Sequence, residues 1–258
     1  MMQKNILLTL AYDGTRYSGW QKQGNTENTI QNKLETLLGR MFGQPIEIHG
    51  AGRTDAGVHA CGQRANFKVD TALAPHEIMT QMNAFLPQDI AVVDACEVPA
   101  RFHSRLSAMK KTYRYRYLPG DIPDVFNGRY VWQTGAALDA EAMARACTVL
   151  YGAHDFLGFC DLKRMKKSSV RTVYDAKVSQ RGREVVLEVT ATGFLYHMMR
   201  IIAGTLYQVG TGSRAETEFA LALQTGQRAD AGPLAPAKGL TLVCVQYPAQ
   251  PSDRLSHS

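Results

Sequence analysis

An arginine and an aspartate sit two residues apart inside Gly50-Ala51-Gly52-Arg53-Thr54-Asp55-Ala56-Gly57-Val58-His59-Ala60, directly after the strand-like run Ile46-Glu47-Ile48-His49. A strand end that opens into a glycine-rich loop lets backbone approach a ligand closely, so Asp55 is the first candidate for chemistry. The spacing excludes two nucleotide motifs. A dinucleotide fingerprint needs a third glycine where Asp55 stands, and no Gly-Lys-Ser or Gly-Lys-Thr follows to make a phosphate loop. A carboxylate with an arginine two residues before it suits a reaction needing an ionised carboxylate and a phosphate or base contact together. Two plainer readings stay open. Asp55 could be an Asx-turn residue that only shapes the loop, or half of a metal site with His59, four residues on, although the expectation is that no metal binds.

Further candidates lie in three other segments. Thr112-Tyr113-Arg114-Tyr115-Arg116-Tyr117 has strand periodicity, so its tyrosines share one face and its arginines the other. Such tyrosines can simply fill a core beneath solvated arginines. With Lys110 and Lys111 beside them, they also suit stacking on a base while its backbone is held electrostatically, one tyrosine reaching the ligand while the others stay core. Arg200 lies among Phe194, Met198, Met199, Ile201 and Ile202. A guanidinium buried there needs a carboxylate, and Asp55 is a suitable partner that would itself be kept ionised. His197, three residues earlier, reads as a capping or core histidine. Arg101 and Arg105 flank Phe102-His103-Ser104, and Lys163, Arg164, Lys166, Lys167 and Arg171 make the stretch from Asp161 a mobile basic loop.

These residues must be positioned by regular elements, and periodicity supplies them. Strands are expected at 5–12, 46–49, 63–69 and 90–98, with helices at 29–42, stopped by Gly43, and at 75–85. Strands at 112–118, 170–179, 184–192 and 240–246 follow, with helices at 139–151, 196–209 and 214–225, the last opened by a Ser213-x-x-Glu216 capping box. The order suggests an α+β protein of two halves, 1–108 with the catalytic loop and 109–248, whose sheets join into one, and a disordered tail at 249–258. At 258 residues and 45% hydrophobic composition the chain can build a proper core. Its 29 Lys and Arg against 23 Asp and Glu give +6, which favours a polyanionic partner without naming one. Five scattered cysteines without Cys-x-x-Cys spacing argue for reduced thiols, a cytoplasmic location and no zinc site. No apolar run is long enough to cross a bilayer.

Taken together, Tyr12-Asp13-Gly14-Thr15 through Gly19-Trp20-Gln21, Gly50 to Ala60, Phe102 to Arg105, Lys111 to Tyr115, Gly152 to Phe156, Phe194 to Arg200 and Ala235 to Leu240 resemble the tRNA pseudouridine synthase A family along nearly the whole chain. Ile201 stands where relatives usually carry asparagine, and Leu157-Gly158-Phe159 replaces a serine-containing version; neither touches the catalytic set. The resemblance implies two ferredoxin-like halves sharing a central antiparallel sheet, helices on one side and a basic cleft between. It implies a homodimer in which one tRNA contacts both subunits, no cofactor or metal, and isomerisation of uridines 38, 39 or 40 of the anticodon stem-loop. By it Asp55 is the catalytic aspartate, Tyr113 stacks near the target base, Arg200 partners the aspartate and Arg53 helps hold the flipped nucleotide. Asp55 could attack C1′ or C6, or take the ribose 2′ proton; Tyr113 or Asp55 could remove the C5 proton. Arg101, Arg105, Lys163, Lys166 and Lys167 are the candidate phosphate contacts, and the loop glycines leave room for the nucleotide. A tRNA-binding or chaperone module without the reaction is the alternative; a metal-dependent nuclease would need clustered carboxylates.

Overall fold

The structure, a computed structural model, describes residues 3–161 and 168–248. The first half runs β1 (Gln3–Tyr12), α1 (Ile30–Phe42), β2 (His49–Gly50), β3 (His59–Asp70), α2 (Pro75–Phe85) and β4 (Ile90–Val98). The second runs β5 (Lys110–Leu118), β6 (Trp132–Gln133), α3 (Ala140–Cys147), β7 (Gly152–Asp155), β8 (Val170–Arg181), β9 (Glu184–Ala191), α4 (Met198–Gly210), α5 (Glu216–Phe219), α6 (Leu221–Thr225) and β10 (Leu240–Gln246).

Among the described residues, ten strands form one sheet in the order β4-β1-β3-β10-β5-β9-β8-β7, with β2 on β3 and β6 on β5. Each half obeys the same rule: its last strand lies antiparallel beside its first, and the strand before its second long helix flanks the first on the other side. The duplication expected from element order is therefore a duplication of topology. The halves meet where β10 runs parallel to β3 over only two pairs, Thr241 with His59 and Leu242 with Ala60. Farther along the same edge of β3, its partner is instead β2, through His49–Asn66 and Gly50–Ala65. The edge of β3 is thus shared between two strands, and the sheet opens between them.

Alternation decides what is buried. Ile6, Leu8, Leu10 and Tyr12 of β1 and Tyr113, Tyr115 and Tyr117 of β5 face one core, to which all four long helices contribute, including Leu34, Ile78, Met143 and Ile202. On the other face of β1, Leu7 joins only a small cluster with Val98 and Phe102. Arg114 and Arg116, on the face opposite the tyrosines, are not left to solvent: Arg114 lies 2.9 Å from Glu188 and Arg116 2.6 Å from Glu184, both on β9.

The expected boundaries at 75–85, 90–98 and 240–246 coincide with α2, β4 and β10, and α1 begins at its Thr29 cap and ends at Gly43 (φ 67). Other expectations need correction. The strand at 46–49 shrinks to His49–Gly50, because the Ile48 amide donates to the Glu35 side chain of α1 (3.2 Å) rather than to a strand. The helix at 214–225 breaks into α5 and α6, and Ser213 does not cap it. Its hydroxyl donates to the Gln208 carbonyl, while the Ala215 amide donates to Glu218 (3.0 Å), which closes the turn instead. The helix expected from Tyr196 starts at Met198, because His197 adopts a left-handed backbone (φ 64).

Candidate active site

The loop between β2 and β3 hangs over the place where the sheet opens, and almost every residue of it is tied down. The Ala51 amide donates to the Arg64 carbonyl (2.7 Å), and the Ala51 carbonyl accepts from Lys111 Nζ (2.6 Å). Gln63 Nε2 donates to the Gly52 carbonyl (2.8 Å), and the Thr54 hydroxyl pairs with the Tyr12 hydroxyl (2.9 Å). The Trp20 amide donates to the Thr54 carbonyl, and the Val58 amide to the Asp55 carbonyl. A loop with so many of its polar groups satisfied holds its side chains in one geometry, as a preorganised site requires.

Two of the glycines have reasons that lie in the loop itself. A Cβ on Gly50 would lie 2.5 Å from the Trp20 ring, and Gly57 has φ +77, a conformation that L side chains avoid. Gly52 differs from both: a Cβ there would meet only the end of the Lys111 side chain, and the residue lines the cleft described below.

Asp55 projects from this loop to α4. Its Oδ2 lies 3.3 Å from Arg200 Nη1 and 3.6 Å from His197 Nε2, so the carboxylate partner that a buried arginine requires is the expected one. Arg200 is only 14% exposed, and its Nε donates to the Ala235 carbonyl (2.8 Å). The segment after Ala235 is anchored in turn by the Tyr115 hydroxyl, which donates to the Pro236 carbonyl (2.8 Å). Tyr113 lies across the site with its ring edge-on to Phe194, centroids 4.8 Å apart. Burial, then the nearby Tyr12 and Asp55, push its hydroxyl well above the ordinary phenol range, so it is a neutral group beside a carboxylate. Unlike those of Tyr115 and Tyr117, which reach the Pro236 and Ala203 carbonyls, the Tyr113 hydroxyl makes no hydrogen bond among the described residues. Of the three, Tyr113 is the one that lines the cleft described below.

These groups line a cleft of about 1160 Å³ that also contains Gln21, Arg53, His49, His103, Arg105 and Lys111. Arg53 is exposed, and its Nε donates to Gln21 Oε1 (3.0 Å) at the rim. Arg105 is exposed in the wall, whereas Arg101, on the same turn, is exposed outside the lining. A buried network places this turn: Asn66 Oδ1 accepts from the Ser104 amide and hydroxyl, and Asn5 Nδ2 donates to the Phe102 carbonyl. Lys163, Lys166 and Lys167 lie outside the described residues. Lys111 is pushed down to about 8, chiefly by burial and then by Arg105 and Arg171. No group of three or more potential metal ligands occurs among the described residues, and His59 faces Asp13 (3.2 Å), not Asp55.

Sequence reasoning missed His197 as a neighbour of Asp55 and Lys111 as the brace of the loop that carries it. His197 was readable only as a cap, because nothing in the local pattern announces a left-handed residue. A polar side chain three residues before an arginine that must face a carboxylate was the available signal.

The sequence profile of a family described as tRNA pseudouridine synthase matches residues 9–106 and 146–248. A protein of Clostridium acetobutylicum named tRNA pseudouridine synthase A is 40% identical over 244 residues, 95% of this chain and 100% of its own length. Those of the same name from Citrifermentans bemidjiense and Moorella thermoacetica are each 42% identical, covering 95% and 94% of this chain and 98% and 99% of their own. A solved Cbf5-Nop10-Gar1 complex aligns over 92% of this chain and 49% of its own at 13% identity and a TM-score of 0.34. The chain belongs to the tRNA pseudouridine synthases, isomerases that convert uridine to pseudouridine in tRNA.

Proposed function

We propose that this chain isomerises uridines at positions 38, 39 or 40 of the anticodon stem-loop, acting as a cytoplasmic homodimer whose two subunits share one tRNA. The observation that carries the reading is the Asp55–Arg200 pair at the floor of an open cleft, with Tyr113 beside it and Arg53 at its rim. The reaction breaks the N1–C1′ bond, turns the uracil and joins C5 to C1′, with the C5 proton lost and one gained at N1. No atom enters or leaves, so a carboxylate with a cation against it, a neutral phenol and a confining wall are the parts it needs.

Asp55 supplies the attacking or proton-accepting oxygen, Arg200 neutralises it, and Tyr113 packs on the extruded base. A base taken out of its stack leaves the surrounding phosphates to be held, and Arg53, Arg105, Arg101 and Lys163, Lys166 and Lys167 serve there. The test is to treat unmodified tRNA carrying uridines throughout the anticodon arm with the protein in EDTA and to map the pseudouridines. Product confined to 38–40 supports the reading. Product elsewhere overturns the position, and binding without product supports a tRNA-binding module instead.

A further inference from the structure

Among the described residues, His197 is the one non-glycine residue with a positive φ, and it holds that conformation at the mouth of the cleft. Glycine or asparagine would adopt it with less strain, so an imidazole kept there asks for a reason in its side chain. The ring is fixed on three sides. Its face stacks on Tyr196 (centroids 3.7 Å), Nδ1 lies 2.6 Å from Asp161 Oδ2, and Nε2 lies 3.6 Å from Asp55 Oδ2. Asp161 is held from behind by Arg228 Nε (2.8 Å). Burial raises the Asp161 carboxyl, but the His197 and Arg228 hydrogen bonds outweigh it and keep the group below the usual carboxylate range. An ionised carboxylate only accepts, so Nδ1 carries the proton in that bond.

Both contacts to the Asp55 carboxylate fall on the same oxygen. Oδ2 meets Arg200 and His197, while Oδ1 has no hydrogen-bond partner among the described residues. A carboxylate torsion is broad and roughly two-fold, and a single contact at 3.3 Å is long for a charge-assisted bond, so Arg200 alone would leave the group free to turn. We propose that His197, oriented by Asp161, is a positioning residue: its ring packs against Oδ2 of Asp55 and, with Arg200 on the same oxygen, fixes the plane of the carboxylate toward the ribose or base of the bound uridine. The inference rests on the isomerase reading, and it adds what sets the orientation of the reacting carboxylate.

His197→Gly separates this role from a backbone one, since glycine satisfies the left-handed turn and removes only the ring. Tritium release from C5-labelled uridine in tRNA is expected to show kcat lowered about 10- to 100-fold, the size of effect that misplacing a reacting group produces. KM is expected to stay within about two-fold and the thermal midpoint to be unchanged or raised. Imidazole in the buffer is expected to restore part of the rate. Asp161→Asn is expected to lower kcat in the same way, and the double variant to be no worse than the worse single, as for residues acting as one unit. An active wild type with His197→Gly at undiminished kcat, or losses that simply add, overturns the inference. A wild type releasing no tritium overturns the isomerase reading beneath it, a result distinguishable from the first two.

Discussion

The two halves share one topology and use it in opposite ways. In the first, the hairpin before the second long helix is opened into the loop that carries Asp55; in the second, the matching β8–β9 connection is the tight turn Gly182-Arg183. The helices reverse the pattern. The start of α2 closes on itself, the Ala74 amide donating to Glu77 (2.6 Å), whereas the start of α4 turns His197 and Arg200 toward Asp55. One half supplies the carboxylate from a loop and the other the cation from a helix end. Neither half holds the pair alone; it forms where the sheet opens between them.

Among residues other than Asp55, the largest effect is expected from Arg200→Met, which removes the second half's contribution outright. Loss of a preorganised charge partner lowers kcat about 100- to 1000-fold. The unpaired, partly exposed carboxylate costs about 2 kcal/mol, and the thermal midpoint falls by about 4–8 °C for a chain of this size. Steady-state kinetics and a melting curve check both.

Next in size is a contrast within a single strand. Tyr113→Phe is expected to lower kcat about 100-fold with tRNA affinity unchanged, the phenol being the group that can carry a proton. Tyr115→Phe and Tyr117→Phe each cost about 1 kcal/mol of stability through lost hydrogen bonds to backbone carbonyls, and leave kcat within about two-fold. Equal kinetic losses at all three would erase the distinction between the ligand-facing tyrosine and the structural ones.

A smaller effect belongs to Lys111, the second-half residue that braces the first-half loop. Its ammonium is pushed down to about 8 by burial, so between pH 8 and the ordinary lysine value of 10.5 the unfolded chain binds more protons than the folded protein. Wild-type stability therefore gains from this group as pH rises through that window, and its burial penalty is present in full below it. Lys111→Met lacks the term, so its stability relative to wild type is expected to fall as pH rises from 8 to 10.5. Urea unfolding at the two ends of the window measures the difference. Smallest of all, Ser213→Ala is expected to change stability by less than about 0.5 kcal/mol, and Glu218→Ala to cost about 0.5–1 kcal/mol, because Glu218 is the residue that closes the turn.

How far the sequence carried each of these features depends on whether its cause is local. The alternation around Tyr113, the amphipathic run of α2 and the stop at Gly43 are written within a few residues of where they act, and the structure repeats them. The pairing of Asp55 with Arg200, 145 residues apart, was legible for a different reason: a guanidinium among Phe, Met and Ile demands a carboxylate. What stayed hidden depends on partners distant in sequence. The strand at 46–49 yields to a glutamate on α1, Gly50 is dictated by Trp20, and Lys111 reaches across the join to Ala51. His197 was hidden twice, by its unusual backbone and by Asp161, a partner on a separate segment.

The central claim is that a carboxylate from one half reacts while a cation from the other holds it. Single-turnover tritium release from C5-labelled uridine in tRNA, measured with Asp55→Asn beside its affinity for the same tRNA, tests it most directly. The account predicts no detectable turnover and a dissociation constant within a few-fold of wild type, because the amide keeps the shape of the carboxylate and loses only the charge. Appreciable turnover by Asp55→Asn would contradict it.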